Sequence, residues 1–172
     1  MKSENEKAQS RMTESEKADF RMIVRHLLRI CSRKPIGNNS EEHAAILISE
    51  LIRSATVSID IFCWRFNDDV WAQSEVLSAL HNALSKSEKI AIRAVTQEDP
   101  VDNACTQMLR EAGVEIKRAA RSDIEANLIL VDGHAFRYEP KKNDRHGIAY
   151  AENPDLAKDV KAIFDAVYPN EH

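Results

Sequence analysis

The chain has 172 residues, of which 43% are hydrophobic, so it can bury one sizeable core but is short for two full domains. Its 24 Lys and Arg residues against 28 Asp and Glu residues give a formal net charge of −4, which excludes the strongly basic field of a histone-like protein. No apolar run approaches the roughly 18 residues of a membrane span, and the polar beginning "MKSENEKAQS" is not typical of a signal peptide, so we expect a cytoplasmic protein that does not contact a membrane.

The three cysteines indicate a reducing compartment. Cys31, Cys63 and Cys105 are odd in number, far apart and set among apolar neighbours, which argues against a framework of disulfides. We therefore predict that all three are buried small hydrophobic side chains.

The beginning of the chain divides into three parts. Residues 1–16 are almost wholly polar and of mixed sign, so we expect a disordered or weakly ordered tail that gives way to helix near its end. Residues 17–36 predict an amphipathic basic helix and a linker, because apolar side chains recur at helical spacing until Pro35 and Gly37 interrupt them. Residues 37–172 are predicted to form one α/β domain.

The predicted first helix carries a row of basic side chains, with no acidic residue between Phe20 and Pro35. Such a row can neutralise nucleic-acid phosphates. It can also be the solvated face of a helix that docks by its apolar side onto the domain or onto another chain. The pattern favours this docking role over nucleic-acid binding. Both interpretations can hold together. The candidate residues for binding nucleic acid or a partner are Arg21, Arg25, Arg29, Arg33 and Lys34.

After this helix, segments with the apolar spacing of a helix alternate along the chain with segments that have the apolar spacing of a strand. Strands that alternate with helices of 10 to 15 residues imply right-handed crossovers and a mostly parallel sheet with helices on both faces. A late hairpin adds antiparallel strands. The predicted helices cover residues 40–54, 73–86, 101–112 and 153–168, and the predicted strands lie in 56–64, 89–96, 114–119, 125–140 and 147–151.

The segment "EANLILVDGHAFRYEP" predicts a tight hairpin. Asp132 and Gly133 stand between two apolar runs, and both central residues of a type I′ turn need a positive φ, which Asp and Gly tolerate. A structural role therefore accounts for Asp132 by itself.

Four stretches resemble the phospholipase D superfamily across about residues 40 to 168. They are "SELIRSATVSIDIFCW", "LREAGVEIKRA", "LILVDGHAFRY" and the closing "NPDLAKDVKAIFDAVY". The resemblance implies a phospholipase D-like α/β fold with a mixed, mostly parallel sheet flanked by helices, here preceded by a helical arm.

The motif of active members of that superfamily, His-x-Lys followed by four residues and Asp, is degenerate here. Asp132 matches, but Glu125 stands at the His position and Asn127 at the Lys position. The resemblance implies that the His attacks phosphorus while the Lys neutralises phosphate oxygens, so Glu and Asn remove both functions. "YEPKKND" also replaces the family's downstream small-polar segment. The sequence favours a catalytically inactive module.

Two enzymatic interpretations stay open as alternatives. Glu125 and Asp132 could act with a nearby histidine such as His146 as a divergent phosphodiesterase or nuclease. A metal site could be imagined among neighbouring ligand-type residues, but none has a recognised zinc spacing, and we predict neither a metal nor a cofactor. Those residues are His134, Asp144, His146 and Glu152.

Three aromatic residues, Trp64, Phe66 and Trp71, surround the loop after the first strand of the predicted domain. Ligands bind at the carboxyl end of strands in open α/β sheets, but aromatic residues there are more often core or interface anchors. The resemblance also implies pairing of two such domains, hence a homodimer or a subunit of a larger complex.

Overall fold

The computed structural model describes residues 11–141 and 146–169. Within these ranges, no helix is both long and apolar enough to cross a bilayer. In chain order the elements are α1 (Glu14–Arg29), β1 (Ile36–Asn38), α2 (Glu41–Ser54), β2 (Ser58–Cys63), α3 (Asp68–Trp71), α4 (Ser74–Leu84), β3 (Ala91–Thr96), α5 (Ala104–Glu111), β4 (Ile116–Arg118), β5 (Asn127–Val131), β6 (Ala135–Glu139), β7 (Gly147–Tyr150) and α6 (Pro154–Val167).

The strands form one seven-stranded mixed sheet in the order β1-β7-β6-β5-β2-β3-β4. Only β2 with β3 and β3 with β4 are parallel, and the other four neighbouring pairs are antiparallel. The expectation of a mostly parallel sheet is therefore wrong. The helical crossovers end at β4, and the later strands follow one another without helices, so each runs against its neighbour.

Helices cover both faces of the sheet, as predicted. On one face, Ile59 and Ile61 of β2 pack in a core shared with α2, α4 and α5. On the other, Phe62 lies in a second core with α6, because successive side chains of a strand point to opposite faces. Asn153 accepts a hydrogen bond from the Leu156 amide at the start of α6, and Pro154 is its first residue, as the sequence indicates.

The helical arm packs on the domain by its apolar side. Thr13 begins α1 with a capping box to Glu16, and Val24 is buried against β1, α2 and β7. Strand β1 begins at Ile36, where the predicted linker ends, and pairs antiparallel with β7. A three-residue strand with a central glycine carries too short a pattern to be recognised in the sequence. Residues 1–10, most of the predicted tail, lie outside the described residues.

Two of the three cysteines are buried, as predicted. Burial raises the pKa of the Cys63 and Cys105 thiols, that of Cys105 to about 12, so both behave as inert core residues. Cys31 is exposed, and its prediction is wrong. It adopts a left-handed conformation, with φ of 49°, in the turn that ends α1, where the chain leaves the helix and its apolar face.

Candidate functional site

A cavity of about 420 Å³ opens at the carboxyl end of β2, between the start of α2, helix α3 and the ends of β5 and β6 that lie beside it. Its aromatic wall is formed by Phe62, Trp64 and Trp71. The described lining contains three carboxylates against one guanidinium, so the cavity has an excess of negative charge. These charged residues are Glu41, Asp69, Glu139 and Arg137.

Asn127, at the Lys position of the motif, holds the backbone at the edge of this cavity. It is the first residue of β5, and its side-chain Oδ1 accepts a hydrogen bond from the backbone N–H of Trp64 at 2.9 Å. The bond lies just past Phe62 and Leu128, the last ladder pair between β2 and β5. Asn127 thus joins the ends of two central strands.

Glu125, at the His position, precedes β5, and its side chain is exposed. It is absent from the described lining of the cavity. The next residue, Ala126, is buried in the core beneath α6. The chain thus turns its small apolar side chain inward at this point and leaves the carboxylate in water.

Asp132 lies at the opposite end of β5, in the hairpin. Its φ of 51° and that of 73° at Gly133 confirm the predicted type I′ turn. Its carboxylate accepts four hydrogen bonds of 2.8 to 2.9 Å, from the amides of Thr56, Val57 and Ser58 and from the Thr56 hydroxyl. Partial burial raises the Asp132 pKa, but these four bonds outweigh it, so the pKa lies below its ordinary value. Asp132 fixes the loop that leads into β2.

The acid–base group imagined from the sequence is not assembled. Glu125 and Asp132 flank opposite ends of the five-residue strand β5, which at about 3.3 Å per residue separates them by more than 15 Å. His146 is exposed at the start of β7. No single substrate atom can be reached by both carboxylates.

A buried polar cluster that the sequence did not indicate closes the wall of the cavity. The Arg137 guanidinium donates to Glu139 Oε2 at 2.7 Å and to Asn38 Oδ1 at 3.0 Å, and burial lowers the Arg137 pKa. Gly147 is required beside it, because a Cβ there would lie 2.5 Å from Asn38 Oδ1. The sequence did contain one signal for this cluster. Arg137 and Glu139 are opposite charges two residues apart in an apolar strand, a spacing that places both side chains on one face.

The aromatic residues at this end divide between core and cavity. Phe66 and Trp71 are buried, and their rings meet edge to face with centroids 4.8 Å apart. Trp64 is half-buried and carries the Arg65 guanidinium 5.6 Å from its ring centroid. Trp64 and Trp71 line the cavity, whereas Phe66 lies outside its described lining.

The basic row on α1 separates into residues that pair with the domain and residues that are exposed. Arg21 pairs with Glu75 of α4 at 2.6 Å, and Arg25 pairs with Glu50 of α2 at 2.7 Å, so both fasten the helix to the domain. The remaining cations lie at and beyond the end of the helix and are exposed. They are Arg29, Arg33 and Lys34.

Within the described ranges, no group of three or more metal-ligating side chains comes together. His134 Nε2 lies 3.8 Å from Glu152 Oε2, a distance that suits a weak ion pair when the imidazole is charged. Asp144, the other carboxylate considered from the sequence, lies outside the described residues.

Comparison with known proteins gives the fold. The sequence matches no protein-family model and no curated protein sequence. Its structure is similar to that of TrmBL2, an archaeal chromatin protein that binds DNA, with a TM-score of 0.52 and 9% identity. That likeness covers 92% of this chain but only 61% of TrmBL2, so this chain spans less than two thirds of that protein. NucT from Helicobacter pylori is similar with a TM-score of 0.52 and 11% identity, over 78% of this chain and 94% of NucT. The fold is phospholipase D-like, as the resemblance predicts.

Proposed function

We propose that this protein is a catalytically inactive phospholipase D-like module that acts by binding and assembly. The observation that carries the proposal is how the motif positions are used. Asn127 holds the Trp64 amide and Asp132 holds the loop before β2, so both polar groups already have structural partners. Glu125 is exposed outside the cavity.

The charge of the cavity supports the same proposal. Phosphodiester cleavage builds negative charge on phosphate oxygens, which needs cations directed at them. Arg137 is the one cation in the described lining, and Glu139 already neutralises it. Glu41 and Asp69 add further negative charge, so this cavity disfavours a phosphodiester.

One hydroxyl in the cavity lies beside a base. Ser40 Oγ is 2.7 Å from His43 Nδ1, a distance that a nucleophile and its base would show. Ser40 is also the N-cap of α2 and accepts a hydrogen bond from the His43 amide. Capping accounts for the bond from the His43 amide, and the negative surroundings of the hydroxyl oppose an oxyanion.

We expect no hydrolysis of phosphodiester substrates, with or without divalent metal, because nucleophile and cation are both missing. The change Glu125→His with Asn127→Lys should restore weak activity at most, since the added Lys breaks the bond to Trp64 and the downstream segment still differs. Turnover measured on DNA, RNA and a small chromogenic diester checks this. Activity that Glu125→Gln or Ser40→Ala abolishes, and that the exposed control Glu88→Gln retains, would refute the proposal.

A second candidate function is nucleic-acid binding through the end of α1. Arg29, Arg33 and Lys34 are exposed within six residues of one another, and no described carboxylate pairs with them. The fold is similar to that of a chromatin protein whose mode of DNA binding is known. A local basic patch on an acidic protein would bind phosphates without a global basic field.

Replacing these three residues together with Ala should weaken binding to duplex DNA and lower the slope of log affinity against log salt by about 0.9 per lost phosphate contact. The unfolding midpoint should stay nearly unchanged, because exposed charges contribute about 0 to 1 kcal/mol each. A salt titration by fluorescence anisotropy measures the slope. The matched control replaces the exposed Lys89, Lys141 and Lys158. Equal slopes for both triple variants and the wild type would exclude this surface.

A further inference from the structure

The cavity at the carboxyl end of β2 is large enough to hold a small organic molecule. Its volume of about 420 Å³ falls within the roughly 300 to 1,000 Å³ of ligand pockets. Phe62, Trp64 and Trp71 supply aromatic surface, and Ile48 and Val70 add aliphatic surface. This part of the lining suits a ligand with a hydrocarbon body.

The charged part of the lining is negative even after its described ion pair is counted. Arg137 and Glu139 neutralise each other at 2.7 Å, which leaves the carboxylates of Glu41 and Asp69. Asp69 is exposed, and no described cation pairs with its carboxylate. A cation that enters the cavity would therefore meet Asp69 without separating an ion pair among the described residues.

A carboxylate oxygen in the wall of the cavity also has room for a donor. Glu139 is 7% exposed and lines the cavity, yet only its Oε2 accepts a hydrogen bond from a described residue, which is Arg137. The polar atoms of a buried side chain normally have hydrogen-bond partners. An N–H group of a bound ligand would supply one to Oε1 of Glu139.

An organic cation suits this lining better than a metal ion or an anion. Within the described ranges, no three metal-ligating side chains come together, so a metal ion would lack its ligands. An anion would be repelled by Glu41 and Asp69. An ammonium group on a hydrocarbon body matches both parts of the lining, because carboxylates accept its N–H groups and aromatic rings attract a cation and pack against its body.

We propose that this cavity binds a small organic ammonium ion with an apolar body. The proposal rests on the inactive binding role proposed above, because it treats the cavity as a binding site without phosphodiester chemistry. It places the ammonium group beside Asp69 and Glu139, and the hydrocarbon body against Trp64 and Trp71.

Three probes of similar shape and different charge test the proposal. They are the 2-phenylethylammonium ion, neutral 2-phenylethanol and the phenylacetate anion. The two tryptophans of the chain, Trp64 and Trp71, both line the cavity, so a titration followed by intrinsic tryptophan fluorescence reports on it directly. The ammonium ion should bind about tenfold more tightly than the alcohol, and the anion should bind more weakly than either.

Removal of the cavity carboxylates separates a local effect from the effect of net charge. Asp69→Asn should weaken binding of the ammonium ion about threefold, and Glu41→Gln with Asp69→Asn about tenfold, with little change for the alcohol. The control Glu88→Gln with Asp159→Asn makes the same change in net charge at exposed positions outside the described lining, and it should leave both affinities unchanged. Thermal unfolding of each variant checks that the fold is retained.

Three results would overturn the proposal. They are an ammonium ion that binds no more tightly than the alcohol, equal weakening by the two double variants, and no fluorescence change with any probe at millimolar concentration. Each would leave the phosphodiester assays unaffected. Hydrolysis detected in those assays would in turn leave the order of the three affinities unchanged, so the two proposals fail separately.

Discussion

Phe164→Ala should lower the free energy of unfolding by about 3 to 5 kcal/mol, the range for truncation of a fully buried Phe. Phe164 has no exposed surface and lies in the core with Leu128 and Leu130, the strand that the sequence predicts beneath it. The guanidinium of Arg93 lies 4.7 Å from its ring centroid and is held there by Asp60. Truncation therefore removes a core side chain and the surface on which a charged group stacks.

Chemical denaturation at two protein concentrations measures this change. Leu156→Ala is the matched control, because Leu156 lies on the same helix but is 42% exposed, and its truncation should have a much smaller effect. If α6 were a detachable arm, Phe164→Ala would leave the monomer's stability untouched. An unaltered midpoint at both concentrations would contradict the packing of α6 on the sheet.

The packing of α6 could be predicted because its signals are local and agree. Asn153, Pro154 and the apolar stripe that includes Phe164 specify the start of the helix and its buried face within one segment. The Asp132-Gly133 hairpin is specified in the same way. Where the capping residues, the spacing of apolar side chains and the turn residues all indicate the same element, a single sequence is sufficient to predict it.

The direction of the strands could not be predicted with equal success. Alternation of helix and strand indicates parallel pairing correctly for β2, β3 and β4. The position of β5 beside β2, at the centre of the sheet, depends on contacts between residues about 70 positions apart. No local pattern encodes such a pairing, and the antiparallel half was therefore underestimated.

The candidate site was predictable in its position but not in its contacts. Comparison with the motif led to Glu125, Asn127 and Asp132, yet the partners of Asp132 lie 74 to 76 residues away. The buried group of Arg137, Glu139 and Asn38 joins positions up to 99 residues apart. Hydrogen bonds of that kind follow from the completed sheet, and a sequence shows only which polar groups will need a partner.

Arg137→Met should lower the free energy of unfolding by about 3 to 5 kcal/mol, because it leaves a carboxylate buried without its cation. Glu139 is 7% exposed and Arg137 4% exposed, and their ion pair is 2.7 Å long. Met keeps the aliphatic volume of the Arg side chain, so the loss reports the charge and not a cavity. Urea denaturation at neutral pH measures it.

The double variant Arg137→Met with Glu139→Leu decides what the pair does. Replacing both members of a buried ion pair with apolar residues is often neutral or stabilising, so the double variant should recover most of the stability lost in Arg137→Met. Recovery would show that the pair is not needed for folding, although it occupies the wall of the cavity beside Asn127. A double variant as unstable as the single one would show instead that Asn38 and the β1 edge depend on the guanidinium itself, since Arg137 Nε donates to Asn38 Oδ1 at 3.0 Å. In that case the sole cation in the described lining of the cavity holds the edge strand β1 to the interior strand β6 and is not available to an anionic ligand.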